Sequence, residues 1–136
     1  MKNKYKILIV DEEVVVLCTL KKPLEQEGYI VETTQSAINA FEKVKSDKYH
    51  IVLTNIIIPE MDGLELLRII KKYDPMTQII MMTECSTMDK ILSSLEYGAN
   101  DYVYKPLKNA EYVIRVIDYS VQKLERWREA IVQIII

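Results

Sequence analysis

Five times along the chain a short apolar run gives way to a longer segment of helical period, and this alternation narrows the fold more than any other feature. Ile7, Leu8, Ile9 and Val10 form an unbroken apolar run, as a strand covered on both faces should, whereas a half-exposed strand alternates. Parallel strands need a long crossover between them, and the helical segments supply it. The pattern predicts strands over 5–10, 29–33, 51–54, 78–82 and 101–104, and helices over 13–27, 36–45, 63–73, 87–97 and 109–136. The expected fold class is α/β, a parallel sheet with covering helices.

In the first helix Val14, Leu17, Leu20 and Leu24 recur on one face, and Gly28 suits the left-handed position just past its end. Pro23 conflicts with that helix. It removes a backbone N–H and costs about 3 kcal/mol in a helix interior, so a kink or an early end near Lys22 is expected. Pro59 and Asp62-Gly63 mark turns before the third helix, whose Leu64, Leu67 and Ile70 face the core. The last helix is longer than a covering helix requires. Its Ala110, Ile114, Ile117, Val121, Leu124, Ile131 and Ile135 follow a four-and-three spacing that breaks at Arg128, a candidate coiled-coil seam. Residues 1–123 are read as the domain and 124–136 as a helical extension, a linker or a dimerisation segment. The apolar run over 131–136 tips that choice towards a homodimer.

A chain of 136 residues, 49% hydrophobic and 28% charged, can bury a single core without staples. Its 18 basic and 20 acidic residues are dispersed, so no stripe marks a nucleic-acid surface, and direct DNA binding is not expected. Cys18 and Cys85 lie far apart without metal-ligand spacing and read as buried small hydrophobes in a reducing compartment. No segment approaches the length of a membrane span, and the apolar run near the N-terminus is too short for a secretory signal, so a cytoplasmic protein with no membrane partner is expected. His50 has no metal-like neighbours. The three glycines fall at helix ends and a turn, leaving no phosphate-cradling loop.

Ligands of an open parallel sheet bind beyond the carboxyl ends of its strands, where the winding reverses. Those ends carry Asp11 and Glu12, Asn55, Thr83 and Lys105. The matching text, ILIVDEE, VLTNIIIPEMDGLELL, MMTE and YVYKPL, closely resembles the response regulator receiver family of two-component signal transduction in order and spacing, over about residues 6–123. The resemblance implies a flavodoxin-like (βα)5 sandwich with sheet order 2-1-3-4-5, and a signalling domain rather than an enzyme. It also implies transfer of a phosphoryl group from a sensor histidine kinase or phosphotransfer protein to an aspartate at the end of the third strand, assisted by magnesium. By the same resemblance the ion would be held by Glu12, Asp11 through water, the side chain of residue 55 and the backbone carbonyl of Ile57. Thr83 and Lys105 would contact the phosphate, and Thr83 with Tyr102 would form the switch towards an output surface of the fourth helix, fifth strand and fifth helix.

The sequence departs from that pattern at Asn55, the phosphoacceptor position. An amide has no anionic oxygen to attack phosphorus, and its nitrogen lone pair is delocalised into the carbonyl, so phosphorylation there is not expected. Glu12 is a milder departure, since aspartate is commoner at the second acid; with a neutral residue 55 the magnesium site should be weak or absent. Plainer roles exist for each residue alone. Acids ahead of a helix stabilise its N-terminus by roughly 0.3 to 1 kcal/mol each, and Tyr102 suits a strand without any switching. It is their joint placement that points to a site. Two origins remain open for Asn55: a receiver that has lost its acceptor and signals through protein contacts, or a normal receiver with a deliberate Asp-to-Asn substitution. A flavodoxin-like cofactor-binding protein is a distant alternative, because three acids after the first strand repel phosphate.

Overall fold

The computed structural model describes residues 2–83, 87–105 and 109–135. After a 3-10 turn at Lys2–Lys4, β1 (Lys6–Val10) leads into α1 (Val14–Gln26), followed by β2 (Ile30–Thr34), α2 (Ala37–Ser46), β3 (Ile51–Asn55) and α3 (Gly63–Tyr73). The chain continues through β4 (Gln78–Thr83), α4 (Met88–Glu96), β5 (Asp101–Tyr104) and α5 (Ala110–Ile135). All pairings are parallel, and the five strands lie in the order 2-1-3-4-5. Cys85, Pro106 and Ile136 lie outside the described residues.

Successive strand residues point to opposite faces, and the sequence fills both with branched apolar side chains. Ile7, Ile9, Ile51, Leu53, Ile80 and Val103 pack under α1 and α5, meeting Leu17, Leu20, Leu24, Val113 and Ile117. Leu8, Val10, Val52, Ile79 and Met81 pack under α2 and α3, meeting Ala40, Val44, Leu66, Leu67 and Ile70. Each such fully buried side chain contributes roughly 1.5–3 kcal/mol, so two continuous layers fix the sheet between its helices.

Several expectations need correction. Helix α1 runs through Pro23 to Gln26 with no early end. The carbonyl left without its N–H partner is that of Thr19, at an exposed position where water can serve it, while Leu20 and Leu24 anchor the helix on either side. Val14 is not a core residue: it is 54% exposed at the start of α1. Cys18 is exposed, on the outer side of the same helix. The C-terminal stripe is not one continuous seam. Ile117, Val121 and Leu124 are spent on this chain's own sheet, and only the turns beyond Leu124 are uncovered, with Ile131 and Ile135 exposed. Strands β2, β3 and β4 each run one residue further than their apolar runs, which places Asn55 and Thr83 at strand ends rather than in loops.

Candidate functional site

Strand register alone gathers the site. Val10 pairs with Thr54, Asn55 with Met82 and Thr83 with Tyr104, so Asp11, Asn55, Thr83 and Lys105 stand at the carboxyl ends of the four neighbouring strands β1, β3, β4 and β5. Strand β1 has β2 on one side and β3 on the other, so the cluster lies at the reversal of winding where this architecture leaves a crevice.

Asp11 is fully buried and both of its oxygens are engaged. Oδ1 accepts the Glu13 backbone N–H at 2.9 Å, and Oδ2 accepts from the Lys105 Nζ at 2.8 Å. Lys105 is 5% exposed, and its own backbone N–H donates to the Thr83 carbonyl at 2.8 Å. A second carboxylate, the largely exposed Glu13, stands 3.5 Å from the ammonium. Burying such a pair costs desolvation of both ions, and the short contact with its extra backbone hydrogen bond offsets that cost.

Asn55 is half-buried at the end of β3, and the loop behind it is tightly drawn. Ile56 and Ile58 are buried while Ile57 between them is 55% exposed, so alternate isoleucines pin the loop to the core. The Gly63 N–H donates to the Ile56 carbonyl at 2.7 Å, and a Cβ on Gly63 would stand 2.3 Å from the Asn55 carbonyl oxygen. Only glycine permits that approach. Asp62 then caps α3, its carboxylate accepting the Leu64 N–H at 2.9 Å.

Glu12 points its side chain into solvent, and its backbone carbonyl accepts from Gln35 Nε2 at 2.8 Å. Tyr102 lies on β5 with its ring partly buried against the layer under α2 and α3, 6.2 Å edge-on from Tyr104. Its hydroxyl is buried without a hydrogen-bond partner among the described residues. Thr83 is buried at the end of β4. His50 is a satisfied histidine at the opposite end of the sheet: its Nδ1 accepts the Lys6 N–H at 3.0 Å, and burial, with Lys48 next, holds its pKa below the usual value.

Three contributors escaped the sequence reading. Glu13 looks in the sequence like one more acid at a helix start, and only the count of three acids against one lysine hints at its place beside Lys105. Gly63 was assigned to a turn, with nothing in its neighbours to announce the contact with β3. Gln35 reaches the site from the β2 end, a contact between loops that leaves no sequence signal.

Among the described residues no three His, Cys, Asp or Glu side chains form a group able to hold a metal. Asp11 is already committed to an ammonium and a backbone N–H, Glu12 faces solvent and residue 55 is neutral. Hard cations favour carboxylate oxygens, so these residues do not fit a tight magnesium site.

A family model described as the response regulator receiver domain matches residues 7–135. An uncharacterized transcriptional regulatory protein of Bacillus subtilis, YkoG, is 34% identical over 84% of this chain and 50% of its own length. The alkaline phosphatase synthesis transcriptional regulatory protein PhoP of the same organism is 34% identical over 82% of this chain and 46% of its own length. The chain thus spans about half the length of these curated relatives. Among solved structures, a CheY-like receiver domain protein from Methanospirillum hungatei superposes with a TM-score of 0.87 at 32% identity, covering 90% of this chain and 97% of that one.

Proposed function

Since the chain belongs to the response regulator receiver family, we propose that it is a receiver that does not take a phosphoryl group at residue 55 and acts as a protein-binding module instead. Receivers of two-component systems are signalling domains, and the family generally uses magnesium at its phosphorylation site. One observation carries the reading: the strand end where the acceptor carboxylate belongs holds an amide, while Asp11, Thr83 and Lys105 around it keep their places. The amide supplies no nucleophilic oxygen for an acyl phosphate.

The test is mass spectrometry of the chain and of Asn55→Asp after incubation with acetyl phosphate and magnesium. The Asp variant should gain a phosphoryl mass and the parent chain none. Equal gain by both would overturn the reading. The same experiment bears on whether Asn55 is a natural loss or a substitution in an otherwise competent receiver: a competent Asn55→Asp favours the second.

The partners implied are a sensor histidine kinase or phosphotransfer protein on the site side, with the protein in the cytoplasm, no direct nucleic-acid contact and no membrane contact. Among the described residues no helix is long and apolar enough to cross a membrane. Tyr102 and Thr83 would be the switch pair. Exposed Leu92, Leu95, Tyr104 and Tyr112 give α4, β5 and α5 an apolar outer surface suited to a protein partner. A homodimer through α5 belongs to the same reading. The stripe that seats α5 on the sheet continues past Leu124 as Trp127, Ile131, Ile134 and Ile135, all exposed, and a second copy offers the same stripe for a two-fold contact. Sizing the chain before and after truncation at Glu125 tests it: a dimer that becomes a monomer supports the contact, and a monomer in both cases removes it.

A further inference from the structure

Two carboxylates, Asp11 at 2.8 Å and Glu13 at 3.5 Å, face one ammonium, Lys105, so the cluster carries one net negative charge. An acid at residue 55 would make it two, which a dication would cancel. With an amide there, the same dication would leave surplus positive charge beside a buried ammonium, an unfavourable arrangement in a poorly screened site. The contacts agree with the charge count. Lys105 follows β5 and Asp11 follows β1, so the 2.8 Å ion pair reaches across the ends of β4 and β3, the strands that carry Thr83 and Asn55. Both Asp11 oxygens are engaged, Oδ1 by the Glu13 backbone N–H and Oδ2 by the ammonium.

We infer that Lys105 is the resident counter-ion of this pocket, strapping β5 to β1 through Asp11 so that the domain holds one conformation with or without magnesium. The inference rests on the same neutral residue 55 as the proposed function but concerns cation binding rather than phosphoryl acceptance. The strap takes the place of the ion: it neutralises the buried carboxylate and fixes the end of β5. A divalent cation could enter only by displacing the ammonium from Asp11, so it has no net charge to gain there.

The test is a magnesium titration followed by backbone amide NMR shifts and by melting temperature. The chain itself should show neither a saturating shift nor a rise in melting temperature up to about 10 mM magnesium, because a ligand stabilises only the state it binds. Asn55→Asp should titrate, with affinity roughly tenfold or more above that of the parent chain. Lys105→Met, which strips Asp11 of its ammonium, should become magnesium-responsive. If that variant does not fold, the double variant Asp11→Asn with Lys105→Met, which removes both charges, should fold and again ignore magnesium. Saturation of the parent chain in the same concentration range as Asn55→Asp would overturn the inference, and so would a folded Lys105→Met that remains indifferent to the ion. Phosphoryl gain by the parent chain would overturn the proposed function alone, and the titration would still decide the strap.

Discussion

Removing the Asp11 carboxylate would leave the Lys105 ammonium buried with, among the described residues, only the rim acid Glu13 paired to it, and that is where a single substitution should cost most. Breaking one side of a buried pair typically costs 3–5 kcal/mol, so Asp11→Asn should lose about that much in urea unfolding, and adding Lys105→Met should restore much of it. If Asp11→Asn proves neutral, the pair is not closed in solution. Gly63→Ala belongs to the same scale. The added methyl would strike the Asn55 carbonyl, a backbone atom that cannot step aside, and a destabilisation of about 1–3 kcal/mol is expected by thermal or chemical denaturation. Asn55 should also be chemically durable. Loss of its amide through a cyclic imide requires attack by the Ile56 nitrogen, whose N–H is bonded to the Met82 carbonyl at 3.1 Å and whose side chain is buried. Prolonged incubation at neutral pH should therefore yield no Asp at residue 55 by peptide mapping; its appearance would mean that this edge of the sheet opens.

Helices α1 and α5 show how far an element can be read before its surroundings are known. The apolar period located both, but not what each face would meet. For α1 the proline was read by its local cost, whereas Leu20 and Leu24 hold the helix across Pro23 and the carbonyl it leaves without its N–H partner sits at an exposed position. For α5 one stripe carried two different jobs. The spacing does not change at Leu124, yet the sheet ends there, so the first half is core and the second is bare. Truncation after Glu125 should accordingly shift the melting temperature of dilute protein by only a few degrees, since residues 126–135 are all exposed and reach back to the domain chiefly through Arg128 beside Tyr5. A large loss of stability would show that the extension packs on the domain in solution.

Across the whole molecule, pH should act through polar clusters remote from the site. Glu32 on β2 accepts from the Tyr49 hydroxyl at 2.6 Å and pairs with Lys6 and Lys43, and these partners, Tyr49 first, lower its pKa from the ordinary 4.5 to about 2. Its folded pKa is the lower one, so this cluster stabilises the protein above the ordinary glutamate range and loses its contribution as pH falls towards 2. Glu32 is partly exposed, so solvent screening keeps the effect modest. Denaturation curves over that window should be steeper for the parent chain than for Glu32→Gln; identical slopes would show that the cluster is not formed. At the same end of the sheet Lys71 donates to the Pro75 and Thr77 carbonyls and to the Asn100 side chain, tying the loops before β4 and β5 together. The joins of Glu32 to Tyr49 and Lys6 and of Lys71 to Asn100 could not be read from the chain, because each links segments well separated in sequence through side chains that would otherwise be ordinary surface residues.

The sequence by itself determined the α/β class, the five strand and helix units, the set of residues at the strand ends and the amide at residue 55. Those follow from local periodicity and from the chemistry of single side chains, which need no partner to be legible. Tertiary structure alone decided that Asp11 and Lys105 close on each other, that Glu12 faces away, that Gly63 must be bare against β3 and that half of the α5 stripe is used up inside the domain. The physical reason is range. Periodicity acts within a few residues, whereas the charge balance of a pocket and the place where a sheet runs out depend on which distant segments come to lie side by side.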